Sequence, residues 1–178
     1  MKKIVLVYGA ISGLIVGAML IITMPLYQSG TLKFENGQLL GYTTMVIALS
    51  LIFFAVKSYR DQHLKGVITF GKAFQVGILV TLVASIIYAL SWEVSYNTMK
   101  GDFMQLMNEK SIEKMKTTGK SEKEIADAKV EMDKFAELYK NPLVRFPITI
   151  LEIAPVGLIV SLLCAALLKR KEFLPAAG

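Results

Sequence analysis

Long apolar runs alternate with charged segments along this chain. Four runs stand out, at about Ile4–Leu26, Leu39–Val56, Ala73–Val94 and Leu143–Leu168. About 20 apolar residues in a helix cross a hydrocarbon core of ~30 Å, so each run is a candidate membrane span. The second run is short and either tilts little or is lengthened by Gly37-Gln38. A buried helix of a soluble protein is the competing reading of each. Four such runs in 178 residues leave too little polar sequence to cover them. The polar stretch between the third and fourth runs, 97–141, has a different period. After Ser121-Glu122-Lys123-Glu124, which has the Ser-x-x-Glu capping-box pattern, Ile125, Ala128, Met132, Phe135 and Tyr139 recur every three or four residues. Phe103, Leu106 or Met107, and Ile112 or Met115 give the first half a rougher apolar face. Thr117-Thr118-Gly119 reads as the turn between two helices, and Asn141-Pro142 stops the second. The pattern predicts an all-α protein: a four-transmembrane-helix bundle, residues 1–178 as one membrane domain, with an extracytoplasmic αα-hairpin inserted between spans three and four.

Small residues recur at spacing four inside the spans: Gly9, Gly13 and Gly17 in the first, Gly77, Thr81 and Ser85 in the third, Gly157, Ser161 and Ala165 in the fourth. In lipid, helices associate through close backbone approach, which small residues permit. The first face suits packing against another span of the same chain better than a homodimer seam, although a homo-oligomer stays open.

Lys and Arg total 20 against 14 Asp and Glu, a net charge of +6. The basic residues flank apolar runs and do not alternate with aromatics along a groove, so nucleic acid is not the expected partner. The lipid bilayer and its anionic headgroups are. One cysteine, Cys164, and one histidine, His63, exclude an intrachain disulfide, a multi-cysteine zinc site and an H-E-x-x-H centre. No metal, cofactor or catalytic dyad is expected, and no enzyme.

Three ionisable residues lie within the apolar runs: Glu93, Arg145 and Glu152. Glu93 and Arg145 are each about two residues from the same end of their spans, so their depths match and a structural ion pair is expected. Glu152 differs. It lies ~10 Å from Arg145 along the axis at 1.5 Å per residue, and ~13 Å from the span edge, near the midplane. A carboxyl there is costly and is a functional candidate by default. Pro155 has no N–H to give the carbonyl of Leu151, so a carboxyl and a freed carbonyl stand side by side. Ser50, Ser85 and Tyr88 match that depth. Together with Glu152 and Leu151 they form the candidate site for a cation, a proton or a small polar solute. A protonated acid hydrogen-bonded to a neighbouring span is the structural alternative.

Certain stretches resemble a known family. They are the glycine-spaced first span with Met24-Pro25-Leu26-Tyr27, then Gly41 to Ser50, Ser58-Tyr59-Arg60-Asp61, Ile68 to Phe74, and Leu151 to Leu162. Together they resemble a bacterial family of integral membrane proteins known as domain of unknown function 4199. The resemblance implies a four-span protein of the inner (plasma) membrane of a Gram-negative bacterium. It implies no activity and no site residues. Two functions fit: a structural or accessory membrane protein that binds a partner through 97–141, or a transport protein for a proton, cation or small solute using Glu152.

Four spans put both termini on one side. That side carries Lys2, Lys3, Lys57, Arg60, Lys65, Lys72, Lys169, Arg170 and Lys171; the other has Lys33 and the nine lysines of the long loop. The totals nearly tie. The terminal-side charges crowd the span ends, and the first span with Lys2-Lys3 usually sets orientation, so both termini are expected in the cytoplasm. Single cysteines at Ser29, Ser58 and Ser121 check this with an impermeant thiol reagent. Ser29→Cys and Ser121→Cys should label from outside, and labelling of Ser58→Cys instead would invert the topology.

Overall fold

The computed structural model describes residues 1–32, 34–99 and 102–169. Among these residues seven helices follow one another: α1 (Lys2–Gln28), α2 (Phe34–Leu49), α3 (Leu51–His63), α4 (Phe70–Thr98), α5 (Phe103–Thr117), α6 (Glu122–Tyr139) and α7 (Pro142–Leu168). Four stretches are long and apolar enough to cross a membrane: Lys2–Tyr27, Asn36–His63, Phe70–Thr98 and Pro142–Leu168. Each is longer than its apolar run, the first three because the helices continue into polar or charged flanks and the fourth by Pro142 alone. The second span departs most from expectation. It is two helices meeting at Ser50, not one short one. The Ser50 hydroxyl donates to the Ile47 carbonyl at 2.6 Å, and Phe53 N–H bonds three residues back to the Ser50 carbonyl. A serine that bonds its own backbone competes with the helical ladder.

The chain forms two compact units, Met1–Trp92 with Thr149 onward, and Glu93–Ile148. In the first, α1, α2–α3, α4 and α7 share a core. Ile52 and Val56 of α3, Val76 and Val80 of α4, and Ile153 and Leu168 of α7 are fully enclosed. The glycines set how closely these helices approach. A methyl group on Gly9 would lie 2.6 Å from Val83 Cβ, and one on Gly13 would lie 2.7 Å from Ile87 Cβ. The face of α1 that could have served a dimer therefore packs on α4. The other side of α4 meets α7, where Gly77 faces Ser161 and Gly157 faces Thr81. The Ser12 hydroxyl joins α1 to α2 by donating to the Ala48 carbonyl at 2.9 Å. After α3 the chain turns through Lys65 and Gly66, both left-handed (φ 52° and 81°), while the Arg60 carbonyl accepts from the amides of Leu64 and Gly66. This is a C-terminal cap of the left-handed kind.

The second unit contains the hairpin. Asp102 caps α5 by accepting from the amides of Met104 and Gln105. Gly119, at φ 74°, makes the turn. Ser121 and Glu124 form a complete capping box: Ser121 Oγ accepts from the Glu124 amide at 3.3 Å, and Glu124 accepts from the Ser121 amide at 3.0 Å. Across the hairpin, Asn108 Nδ2 donates to Asp133 Oδ1 at 3.4 Å. Asn141 ends one helix and starts the next, since its side chain accepts from the Leu143 amide at the head of α7. Pro142 sits at the first position of α7, where its missing N–H has no bond to lose.

The hydrogen bond from Lys120, followed by those from the Ser121 amide and hydroxyl of the capping box, holds the Glu124 carboxyl down to about 2 from the usual 4.5. A lowered folded-state value means that the ionised cap stabilises α6 above pH 4.5. That contribution is lost as the pH falls from 4.5 through about 2. Ser121→Ala should cost about 1 kcal/mol. Hydrogen-exchange protection of the first α6 amides should drop in that variant, and should drop in the wild type over the same acid window. Unchanged protection in both would show that the box does not hold the helix start.

Candidate functional site

Glu93, Arg145 and Glu152 lie in two places. In the second unit, Arg145 at the start of α7 is almost fully enclosed. Its Nε donates to Glu93 Oε1 at 2.9 Å and its Nη2 to Glu93 Oε2 at 2.5 Å. The pairing is bidentate, the geometry in which a guanidinium binds a carboxylate most strongly. Nη1 donates to the carbonyls of Tyr139 and Lys140 at 3.1 and 3.2 Å, the last carbonyls of α6. The guanidinium also lies 3.8 Å from the centre of the Tyr96 ring and 6.0 Å from that of Tyr139. Arg145 thus ties the end of α4, the end of α6 and the start of α7 into one polar knot. Sequence depth brought Glu93 and Arg145 together. It did not bring in the two tyrosines, which read only as interfacial aromatics; the signal was Tyr139 on the apolar stripe of α6, six residues before Arg145.

In the first unit, the Tyr88 hydroxyl donates to Glu152 Oε2 at 3.1 Å, linking α4 to α7. Tyr88 is buried, but Glu152 lies on the outer surface of α7 with Leu151, Pro155, Leu158 and Ile159. The other residues of the expected site do not converge on it. Ser85 is buried and donates to the Thr81 carbonyl at 2.8 Å. Ser50 is exposed and bonds Ile47. Leu151 points its side chain outward, and its carbonyl lacks a helical donor because Pro155 has none to offer. The site is therefore smaller than expected and faces outward: one carboxyl, one tyrosine hydroxyl and one backbone carbonyl. Its polar atoms can accept a proton, a cation or the donor of a neighbouring helix.

Sequence reading also missed Arg60. It is fully buried in α3, and its Nε donates to Asp61 Oδ1 at 2.7 Å while Lys57 holds the other carboxylate oxygen at 2.6 Å. In the sequence it sits among solvated charges, and only its place on the apolar side of α3, four residues after Val56, hinted at burial.

Helices of this length and apolarity, packed through small residues, define a multi-pass α-helical membrane protein. The matching family model, described as a protein of unknown function (DUF4199), covers residues 7–170, and the chain belongs to that family. No curated protein and no solved structure shows significant similarity to it.

The Glu93–Arg145 contact yields a thermodynamic prediction. Arg145→Gln should destabilise the wild type more than it destabilises a Glu93→Gln variant, with a coupling of about 1 kcal/mol or more. Unfolding of the four proteins in one detergent measures it. Strictly additive losses would mean that the carboxylate contributes nothing to holding the arginine, leaving the α6 carbonyls and tyrosines as its support.

Proposed function

We propose that this is an accessory membrane protein that binds partners and has no catalytic activity of its own. In this reading it resides in the inner membrane of a Gram-negative bacterium. Both termini are cytoplasmic, anionic headgroups contact the basic span ends, and residues 97–141 face the other side, available to a protein partner. One observation carries the reading: the direction in which the polar side chains of the bundle point. Ser12, Thr81 and Ser85 donate to backbone carbonyls within the unit, whereas Glu152 is turned outward. Transport through a small bundle calls for polar groups gathered around a shared interior path. A carboxyl on the outside of a helix suits contact with another helix, since hydrogen bonds between spans hold membrane assemblies together. On the hairpin, Val130 and Leu138 leave apolar surface uncovered, which suits a protein partner.

The second reading is a proton- or cation-binding site at Glu152. It is favoured by the Leu151 carbonyl beside the carboxyl, which Pro155 deprives of its usual helical donor, since freed backbone carbonyls near midplane coordinate ions in membrane proteins.

Proteoliposomes of the wild type and of Glu152→Gln separate the two. Under a proton or potassium gradient, both should leak no faster than empty vesicles, and the wild type should bring partners with it when purified from native membranes. A flux present in the wild type and abolished in Glu152→Gln would replace the accessory reading with transport.

A further inference from the structure

The outer face of α7 carries more than an isolated carboxyl. Glu152, Pro155, Ile159, Leu162 and Ala166 are all exposed, and they follow one another at spacings of three, four, three and four. That is the spacing a left-handed helix pair would use for its seam, the crossing most common between transmembrane helices. The core residues of α7 (Ile153, Ser161, Cys164, Ala165 and Leu168) are buried on its other side. Among the described residues, none covers these five positions. A polar residue at one seam position of a helix pair fixes its register and the number of strands, and Glu152 occupies such a position.

The chemistry of the carboxyl narrows the occupant. Among the described residues its hydrogen-bond partner is Tyr88, which donates to Oε2. Oε2 has a second lone pair, and Oε1 of the acid form carries a hydroxyl. The group therefore offers one donor and one acceptor outward. A two-fold axis beside Glu152 matches this need from the chain itself, because in an isologous contact each residue meets its own counterpart. The Oε1 hydroxyl of each copy donates to Oε2 of the other, and each Oε2 then accepts both that hydroxyl and its own Tyr88. An unrelated helix would have to supply a matched donor and acceptor at the same depth.

We propose that α7 is a homodimer seam in which the Glu152 side chains of two copies pair across a two-fold axis, each oriented by its own Tyr88. The site is incomplete in one copy. The proposal rests on the accessory reading above and identifies one of its partners as a second copy of the chain.

Disulfide trapping in lipid vesicles tests it on the purified full-length protein, in a Cys164→Ala background. Ile159→Cys should cross-link into a dimer on oxidation. Leu82→Cys, on the exposed side of α4, should not. Adding Glu152→Leu should weaken dimerisation about threefold to tenfold, the range for one or two intramembrane hydrogen bonds. Glu152→Gln should preserve it, since the amide is also donor and acceptor. Thermal melts of each variant identify any that fail to fold, and Tyr88→Phe then serves as the second probe, with a smaller loss. Equal trapping at both cysteines, or trapping indifferent to both Glu152→Leu and Tyr88→Phe, would overturn the seam. A monomer in vesicles that still brings a different protein from native membranes would overturn the dimer and leave the accessory reading intact. Flux lost in Glu152→Gln would overturn the accessory reading itself.

Discussion

The structure depends on one constraint: within hydrocarbon, every polar group must find its partner in protein. Most serines and threonines of the spans meet it locally; among the described residues the buried hydroxyls of Ser95 and Ser161 are the exceptions, with no hydrogen-bond partner. Thr23, Thr44, Thr81, Ser85 and Ser91 all donate to the carbonyl four residues back. A hydroxyl so engaged makes no demand on a neighbouring helix, which is why these residues can sit at helix contacts as small side chains. Ser12 is different. Its hydroxyl crosses to the Ala48 carbonyl, close to the point where Ser50 interrupts the second span. Where the local ladder is disturbed, a side chain from another helix takes part.

Close packing follows from the same constraint. With no water to expel between spans, attraction comes from contact, and contact requires small residues. In the first unit α4 is the helix that others pack on. One of its faces receives Gly9, Gly13 and Gly17 of α1, and the other supplies Gly77 and Thr81 to Ser161 and Gly157 of α7. The fit is reciprocal at α7, with a glycine on each helix facing a hydroxyl on the other. This leaves α7 tightly held on one side and, among the described residues, exposed on the opposite one. The exposure of its outer face follows from how the inner face is made.

Much of this was readable in the sequence, and the reasons differ by residue. The spans were legible because twenty apolar residues have few other uses. The capping box was legible because Ser121 and Glu124 are close in sequence and satisfy each other. Glu93 and Arg145 could be matched by depth because each lies near a span end. Three features were not legible. Ser50 carries no signal that it will interrupt a helix, since most serines in spans bond back without harm. The burial of Arg60 depends on which side of α3 it occupies, and one turn decides that. The direction of Glu152 depends on how α7 rotates about its axis, which is set by Gly157 and Ser161 one to three turns away. Depth can be counted along a chain, but rotation has to be solved by packing.

That rotation bears on which function the carboxyl can serve. On an inward face, Glu152 would have shared space with Ser85, and an ion could have been ringed by side chains. On the outer face it lies among the exposed Leu151, Pro155, Leu158 and Ile159, with Tyr88 donating to it from α4. A cation there would have a carboxyl, one hydroxyl and one carbonyl to replace its water. The lone pairs that would hold a cation are also those that a second copy would use, so the two occupants exclude each other. Pairing satisfies donor and acceptor together and leaves no charge in hydrocarbon. Coordination by so few oxygens leaves a metal ion under-hydrated, and charged residues at that depth are already expensive. On this balance we propose another helix, and not an ion, as the occupant of this carboxyl, one of whose lone pairs Tyr88 already takes.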